Sequence, residues 1–342
     1  MEPEPLKDLL GRPLRNLRLS VTDRCNLRCS YCMPEADYVW LPRADILHFE
    51  EMSALVDIFA RAGVDRVRLT GGEPLLRRNL PELIRMIAQK PAIQDLALTT
   101  NGVMLADQAR ALHLAGLHRL TVSLDTLRPD RFQALTRLDA LPQVLAGIDE
   151  AAKYFSGIKL DSVIIRGTNE DELVALIDYA RSIRAEVRFI EYMDVGGATQ
   201  WSRDRVMSRQ EMLTALGREY GPIAAVMENT SAPADRFRLT DGTVFGIISS
   251  TTDPFCRSCD RSRLTAEGMW YRCLYATAGT DLRTPLRAGM AAGDLLQLIT
   301  SEWSARSDRG AEERLALRDR SPLVPASSLK RNPHLEMHTR GG

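Results

Sequence analysis

Residues 16–32 read NLRLSVTDRCNLRCSYC, an alternating stretch that runs directly into three cysteines. In a β-strand successive side chains point to opposite faces. Leu17, Leu19 and Val21 therefore share one face, and Arg18, Ser20 and Thr22 share the other. Five more segments repeat this one-sided pattern: 65–70 (DRVRLT), 95–100 (DLALTT), 119–124 (RLTVSL), 158–165 (IKLDSVII) and 186–193 (EVRFIEYM). Helical periodicity fills the gaps near 51–62, 79–89, 106–115, 142–155 and 170–183. Six strand–helix units predict a parallel sheet with right-handed crossovers. A closed eight-stranded barrel needs two more units. The expected fold class is α/β, an incomplete (β/α)6 TIM-like barrel, with an open doubly wound sheet as its rival.

The polar faces of these strands carry the first functional signal. Parallel strands buried on both sides are apolar throughout, whereas these are apolar on one side only. The apolar side belongs under the helices. The other side then faces a lumen carrying Arg18, Arg68, Lys159 and Arg188, with Asp161 the one acid placed among them. Buried cations without partners are expensive, and guanidinium forks match phosphate oxygens. A bound polyanion is the expected partner, with strand misregister or acidic loops as the plainer account. The loops that follow the strands, among them GGEP (71–74), TNG (100–102) and DTLRPD (125–130), are the edge where parallel α/β folds bind ligands.

The whole chain has 342 residues, with 45 basic and 45 acidic side chains and a formal charge of zero. That balance speaks against a globally basic nucleic-acid binder. Hydrophobic residues make up 44% and charged residues 26%, the make-up of a chain that buries a core. At about 150 residues per domain, the expected organisation is a barrel over 1–230, an α+β extension over 231–320 and a tail over 321–342. After Met193 the rhythm breaks into a helix near 208–218, a connection at 229–235, short strands at 236–240 and 243–249, and a helical pattern near 284–298. The closing SPLVPASSLKRNPHLEMHTRGG (321–342) is rich in Pro, Ser and polar residues and is expected to be poorly ordered. No apolar run approaches the ~20 residues of a spanning helix, and no signal peptide is visible. A cytoplasmic chain with no membrane and no nucleic-acid partner is expected.

All six cysteines fall in two triplets, Cys25-x3-Cys29-x2-Cys32 and Cys256-x2-Cys259-x13-Cys273. Tight clusters of this kind read as metal sites rather than a disulfide framework. Three thiolates at the first spacing can ligate three irons of a cubane cluster and leave the fourth open. Zinc would want a fourth ligand, and the nearest histidine, His48, lies sixteen residues beyond Cys32. The second triplet alone is also compatible with a zinc ribbon one ligand short. Arg257, Arg261 and Arg263 make its surroundings positive, and in an extended run Arg261 and Arg263 share a face.

Together these motifs resemble the radical S-adenosylmethionine (SAM) superfamily, through C-x3-C-x2-C with Tyr31 before its last cysteine and the GGEP loop after the second strand. More closely, the run CRSCDRSRLT (256–265) with Gly268 and Cys273-Leu, the stretches LRLSVTDRCNLRCSYCMP, VRLTGGEPLLR, TTNG and FIEYMDVG, and the terminal Gly341-Gly342 resemble the molybdenum cofactor biosynthesis protein A family, the GTP 3′,8-cyclases. The resemblance implies two [4Fe–4S] clusters, the first cleaving SAM to a 5′-deoxyadenosyl radical and the second meeting the guanine of GTP. It implies SAM contacts at Tyr31, Gly72, Glu73, Ser123 and Met193. It implies GTP contacts at Arg18, Arg68, Thr99, Lys159, Arg261, Ser262 and Arg263, with Arg188 a further candidate and Gly341 and Gly342 reaching the site. The implied partners are GTP, an electron donor such as flavodoxin or ferredoxin, and a downstream pterin-forming enzyme, with the chain a monomer or homodimer. A peptide-modifying radical enzyme that uses the second cluster as an electron relay is the alternative enzyme reading; a zinc-bound binding protein is the non-enzymatic one.

Overall fold

The alternating segments pair as neighbouring parallel strands in the computed structural model, which describes residues 6–35, 37–195, 199–228 and 230–341. They are β1 (Asn16–Ser20), β2 (Arg66–Thr70), β3 (Asp95–Thr100), β4 (Arg119–Ser123), β5 (Lys159–Ile164) and β6 (Glu186–Glu191). Helices α1 (Phe49–Arg61), α2 (Leu80–Ala88) and α3 (Leu105–Leu114) follow β1, β2 and β3, both α4 (Pro129–Thr136) and α5 (Leu141–Ala151) follow β4, and α6 (Leu173–Ser182) follows β5. Helix α1 shows the logic: Met52, Leu55, Val56 and Phe59 fall on one face at helical spacing and are fully buried. They join Leu17, Leu19, Val67, Leu69, Leu96 and Leu98 in one continuous core. The apolar strand faces thus lie under the helices, as the alternation requires. Helix α4 falls in a stretch read as a loop; Pro129 at its start presets the helical backbone angle.

Two further parallel strands flank this array. Elements β7 (Ala224–Val226), β8 (Asp235–Arg238), β9 (Val244–Ile248), β10 (Arg261–Leu264), β11 (Met269–Tyr271) and β12 (Thr280–Asp281) come from the second half of the chain. Strand β10 pairs parallel with β1, and β9 pairs parallel with β6. Eight parallel strands therefore stand in a row, β10-β1-β2-β3-β4-β5-β6-β9, with antiparallel β11-β12 and β8-β7 continuing the two edges. The flanking strands sit at opposite ends of that order, so the barrel is incomplete. They escaped the count of strand–helix units because each is joined to an antiparallel neighbour, β9 after β8 and β10 before β11. The expected boundary at 230/231 falls between β7 and β8, which pair with each other. Residues after it continue the barrel sheet.

The remaining helices are α7 (Arg209–Tyr220), α8 (Arg283–Arg287), α9 (Ala292–Ser304), α10 (Gly310–Leu315) and α11 (Ala326–Arg331). The helical pattern expected at 284–298 is two helices, because Gly289 at φ +80° ends the first of them. The tail departs most from expectation. Leu329 of α11 is buried, and Glu336, His338, Thr339 and Arg340 are at most 4% exposed. Composition reports whether a segment can build its own core, and this one instead enters a groove made by others. Among the described residues no helix is long and apolar enough to cross a membrane.

Aromatic packing joins the two halves: Phe59 of α1 lies edge-on to Trp270 of β11 at 5.5 Å, and Trp270 stacks on Trp303 of α9 at 6.5 Å. Phe59→Ala should cost about 3–5 kcal/mol and shift a single cooperative unfolding transition in a urea titration. Two transitions, only one of them displaced, would mean that the C-terminal elements fold independently.

Candidate active site

Both cysteine triplets line one cavity of about 310 Å³ at the carboxyl ends of the parallel strands. Arg18 and Thr70 reach it from β1 and β2, Thr99 from β3, Ser123 from β4, Asp161 from β5, Ile190 from β6, Ile248 from β9, and Arg261 and Arg263 from β10. Side chains from eight consecutive strands of an open sheet can share one cavity only if the sheet curls into an arc.

The first triplet sits on the loop leaving β1. The thiols of Cys25, Cys29 and Cys32 are free. Burial pushes Cys25 up to about 11 and Cys29 and Cys32 well above the usual thiol range, and each thiolate would also repel its neighbours. Such thiols ionise only beside a positive charge, which bound iron supplies. Among the described residues no three His, Cys, Asp or Glu side chains are gathered as ligands of a single ion. A cubane does not ask for that arrangement, since each thiolate binds its own iron. Asn101 Nδ2 lies 3.9 Å from Cys25 Sγ and donates to Asn26 Oδ1 at 2.8 Å. Arg28 Nη1 donates to the carbonyls of Cys25 and Leu27 at 2.9 and 2.8 Å, bracing the loop.

The two glycines of GGEP act first on the protein itself. A Cβ at Gly71 would lie 2.4 Å from Thr22 O, and one at Gly72 2.3 Å from Arg24 O. What approaches this backbone closely is the segment leading into Cys25, anchored by Gly72 N–H to Thr22 O at 3.0 Å and Glu73 N–H to Arg24 O at 2.7 Å. Both glycines also line the cavity, but Glu73 does not. Its buried carboxylate accepts from Leu75 N–H, Thr100 Oγ1 and Asn101 N–H at 2.7–2.9 Å, fastening GGEP to TTNG. Tyr31, Ser123 and Met193 are on the cavity wall. Asp125, absent from the sequence-based set, joins them. It accepts from Tyr31 Oη at 2.6 Å and Val163 N–H at 2.8 Å, and burial raises its pKa to about 6. The DTLRPD loop pointed to this place, but the acid itself went unread.

The cations form a ladder. Arg263, Arg18 and Arg68 are Cα partners across three adjacent parallel strands, so three guanidinium stems stand side by side on the lumen face. Burial, then Arg263, Arg68 and Arg261, press the Arg18 pKa well down; burial and Arg261 bring Arg263 to about 10. Arg68 donates to Thr99 Oγ1 and Thr121 Oγ1 at 2.9 and 3.0 Å. Arg68, Lys159 and Arg188 lie off the cavity wall; Arg68 and Lys159 sit one layer nearer the amino ends than Thr70 and Asp161. Burial and Arg188 lower Lys159 to about 8. Asp161 is not the lone acid of this face. Glu186, two residues before Arg188 on β6, pairs with it at 2.9 Å and with Arg236 at 2.9 Å. Ser262 also departs from expectation. It alternates to the opposite side of β10 from Arg261 and Arg263, in register with Leu17, and is not among the residues that line the cavity. Arg261 Nη2 and Asp161 Oδ1, on residues that line the cavity, are buried with no hydrogen-bond partner among the described residues.

The C-terminal segment completes the wall. Gly341 O accepts from Arg18 Nη1 at 3.2 Å and from Arg263 Nη1 at 2.5 Å. Arg340 sits over the Tyr271 ring at 4.1 Å and donates to the carbonyls of Leu274 and Ala276 at 3.1 and 2.6 Å, just past Cys273. His338, on the cavity wall, lies edge-on to Tyr38 and Trp40. Gly342 lies outside the described residues.

The second triplet differs electrically from the first. Burial raises Cys259, but Arg261 and Arg306 outweigh it and bring it to about 7; Cys273, beside Asp308, is pushed up to about 12, mainly by burial. Arg261 also stacks on Phe255 at 4.5 Å.

Comparison with known proteins agrees with this geometry. The radical SAM superfamily matches residues 19–180, and the molybdenum cofactor synthesis C family matches residues 185–312. The chain is 59% identical to GTP 3′,8-cyclase 3 of Mycobacterium bovis, over 99% of this chain and 91% of the relative. It is 54% identical to GTP 3′,8-cyclase 1 of Mycobacterium tuberculosis, covering 98% and 95%, and 42% identical to GTP 3′,8-cyclase of Aquifex aeolicus, covering 98% and 100%. Among solved structures, Streptococcus suis SuiB bound to S-adenosylmethionine shares the fold, with a TM-score of 0.59 and 15% identity over 90% of this chain and 68% of that one.

The ladder and the tail each generate a test. An anion beside Lys159 restores its charged form, so binding of inorganic triphosphate at pH 8.5 should take up a fraction of a proton and weaken as the pH climbs past about 8. Titration calorimetry in two buffers of different ionisation enthalpy reads this, and buffer-independent heats would remove Lys159 from the anion site. Gly341 has φ +65°, and a Cβ there would lie 2.2 Å from Thr70 Cγ2. Gly341→Ala should leave the melting temperature within about 2 °C but expose the Arg340–Gly341 bond to trypsin; resistance equal to wild type would return the tail to a passive role.

Proposed function

The chain belongs to the GTP 3′,8-cyclase family of radical SAM enzymes, and from that premise we propose that it converts GTP to (8S)-3′,8-cyclo-7,8-dihydroguanosine 5′-triphosphate in the cavity between its two cysteine triplets. This is the first step of molybdenum cofactor biosynthesis. The observation that carries the reading is the juxtaposition itself: two three-thiolate sets line one cavity together with Arg18 and Arg263 of the arginine ladder.

Cys25, Cys29 and Cys32 would hold a [4Fe–4S] cluster that, with SAM, supplies an electron-driven route to a 5′-deoxyadenosyl radical. Tyr31, Gly72, Ser123 and Met193 would hold SAM from the wall beside this triplet, with Asp125 fixing the Tyr31 hydroxyl. Glu73 serves the same site indirectly, by fastening the loop that carries Gly72. Cys256, Cys259 and Cys273 would hold a second [4Fe–4S] cluster facing the base. Arg18, Arg68, Arg188, Arg261, Arg263 and Lys159 would neutralise the triphosphate, with Thr99 orienting Arg68. Arg18 supports this most directly, since its guanidinium lies among like charges and, among the described residues, donates to one backbone carbonyl, Gly341 O. The tail would exclude water from above, with Gly341 and Gly342 thin enough to lie against SAM and GTP.

Within this reading a one-electron donor such as flavodoxin or ferredoxin feeds the first cluster, and a pterin-forming enzyme consumes the product. Six free thiols and oxygen-sensitive clusters support a reducing, cytoplasmic setting.

Anaerobic incubation with GTP, SAM and dithionite should yield 5′-deoxyadenosine in step with the cyclic triphosphate, from protein carrying roughly eight irons per chain. Absence of 5′-deoxyadenosine from fully loaded protein would falsify the assignment. Arg18→Met removes a buried like charge, so it should raise the melting temperature of the ligand-free protein by about 2 °C. It should also raise the KM for GTP at least tenfold. A variant that is less stable and still binds GTP normally would make Arg18 a structural residue.

A further inference from the structure

A buried ion cluster that neither the SAM site nor the GTP site uses lies against the backbone of the second triplet. Its centre is Asp8, fully buried in the N-terminal turn. Asp8 Oδ2 accepts from Arg12 Nε at 2.6 Å and lies 3.6 Å from Arg306 Nη1. Both guanidinium groups are also buried, at 1% side-chain exposure. Each grips a cysteine carbonyl: Arg12 Nη1 donates to Cys256 O at 3.1 Å, and Arg306 Nη1 donates to Cys259 O at 3.0 Å. Arg306 also lies against the Cys259 thiol, pairs with Asp308 at 3.2 Å and stacks on Trp303 at 4.5 Å.

We propose that Arg306 is a positioning residue for the second iron–sulfur cluster, fixing the Cys256–Cys259 turn together with Arg12 and setting the electron affinity of the cluster, with Asp308 opposing it. The proposal rests on the reading of Cys256, Cys259 and Cys273 as cluster ligands. The physical argument is short. Reduction of a cubane adds one negative charge, and a buried cation a few ångströms away stabilises that charge strongly because the medium screens it poorly. Partners beyond the ligand set tune metal sites through the same two routes, orientation and charge. Two guanidinium groups sharing one fully buried carboxylate leave positive charge directed at the thiolates. Asp308, whose carboxylate bears on Cys256 and Cys273, reduces it.

The test is a redox titration of the anaerobically purified holoenzyme followed by electron paramagnetic resonance. The two cluster signals are separated by their response to added SAM and added GTP, and iron is measured in parallel. Arg306→Gln should keep its iron, yet at a fixed potential the reduced-to-oxidised ratio of the second cluster should fall about tenfold, a 59 mV negative shift for a one-electron couple. Arg306→Lys should recover most of that shift. Asp308→Asn should move the second cluster in the opposite direction, and the first cluster should not move in any variant. An unchanged second potential in both Arg306→Gln and Asp308→Asn overturns the proposal, as does an equal shift of both clusters. If Arg306→Gln sheds the second cluster, the positive shift of Asp308→Asn supports the proposal and its absence overturns it. Wild-type protein with about four irons and one signal would overturn the second-cluster reading itself, an outcome separable from all the others.

Discussion

Three arginines in register on adjacent strands are the constraint on which the architecture turns. Arg263, Arg18 and Arg68 stand side by side within a sheet, where a hydrophobic residue at each position would pack without penalty. Like charges at that spacing in a poorly screened interior oppose folding. The sheet accepts them because its other face is mainly apolar and buries a continuous core under the surrounding helices. The cost of the charged face is offset by the oily one.

The second half of the chain follows from the same constraint. Strand β10 brings Arg261 and Arg263 beside β1, and β9 closes the opposite flank beside β6. Joining both flanks to one barrel sheet puts the second triplet on the wall of the same cavity as the first. The tail then lays one carbonyl, Gly341 O, between Arg18 and Arg263. A Cβ at that position would strike Thr70 and crowd Ser20, so the identity of the residue is dictated by how little room β1 and β2 leave there. Arg340 fixes the approach by gripping the loop beyond Cys273, which makes the ordering of the tail and the geometry of the second triplet parts of one structure.

Much of this was legible in residues 16–32 and their repeats. Alternation assigned Arg18, Arg68, Lys159 and Arg188 to one face correctly, because period two is a local property of extended backbone. The cysteine spacings likewise stand on short segments. Glu186 was missed as an acid of that face, although the same alternation applies to it. Ser262 was grouped with its neighbours by motif, yet the same period turns its side chain away. Glu73 follows its family's motif, while its carboxylate is consumed by three local donors. The helix at 129–136 was too short to announce itself by period, and the break at Gly289 was hidden inside a run of helix-favouring residues.

The sequence by itself determined the strand–helix rhythm, the polarity of each strand face and the grouping of thiols, all of which depend on residues a few positions apart. Only the tertiary structure decided that β9 and β10 extend the row to eight parallel strands, that both triplets share one cavity, and that a Pro- and Ser-rich tail is buried. Those outcomes depend on contacts between segments hundreds of residues apart in the chain, such as Arg18 with Gly341 and Arg12 with Cys256. Local pattern fixes which groups a segment can offer; the arrangement of the whole chain fixes what each group meets.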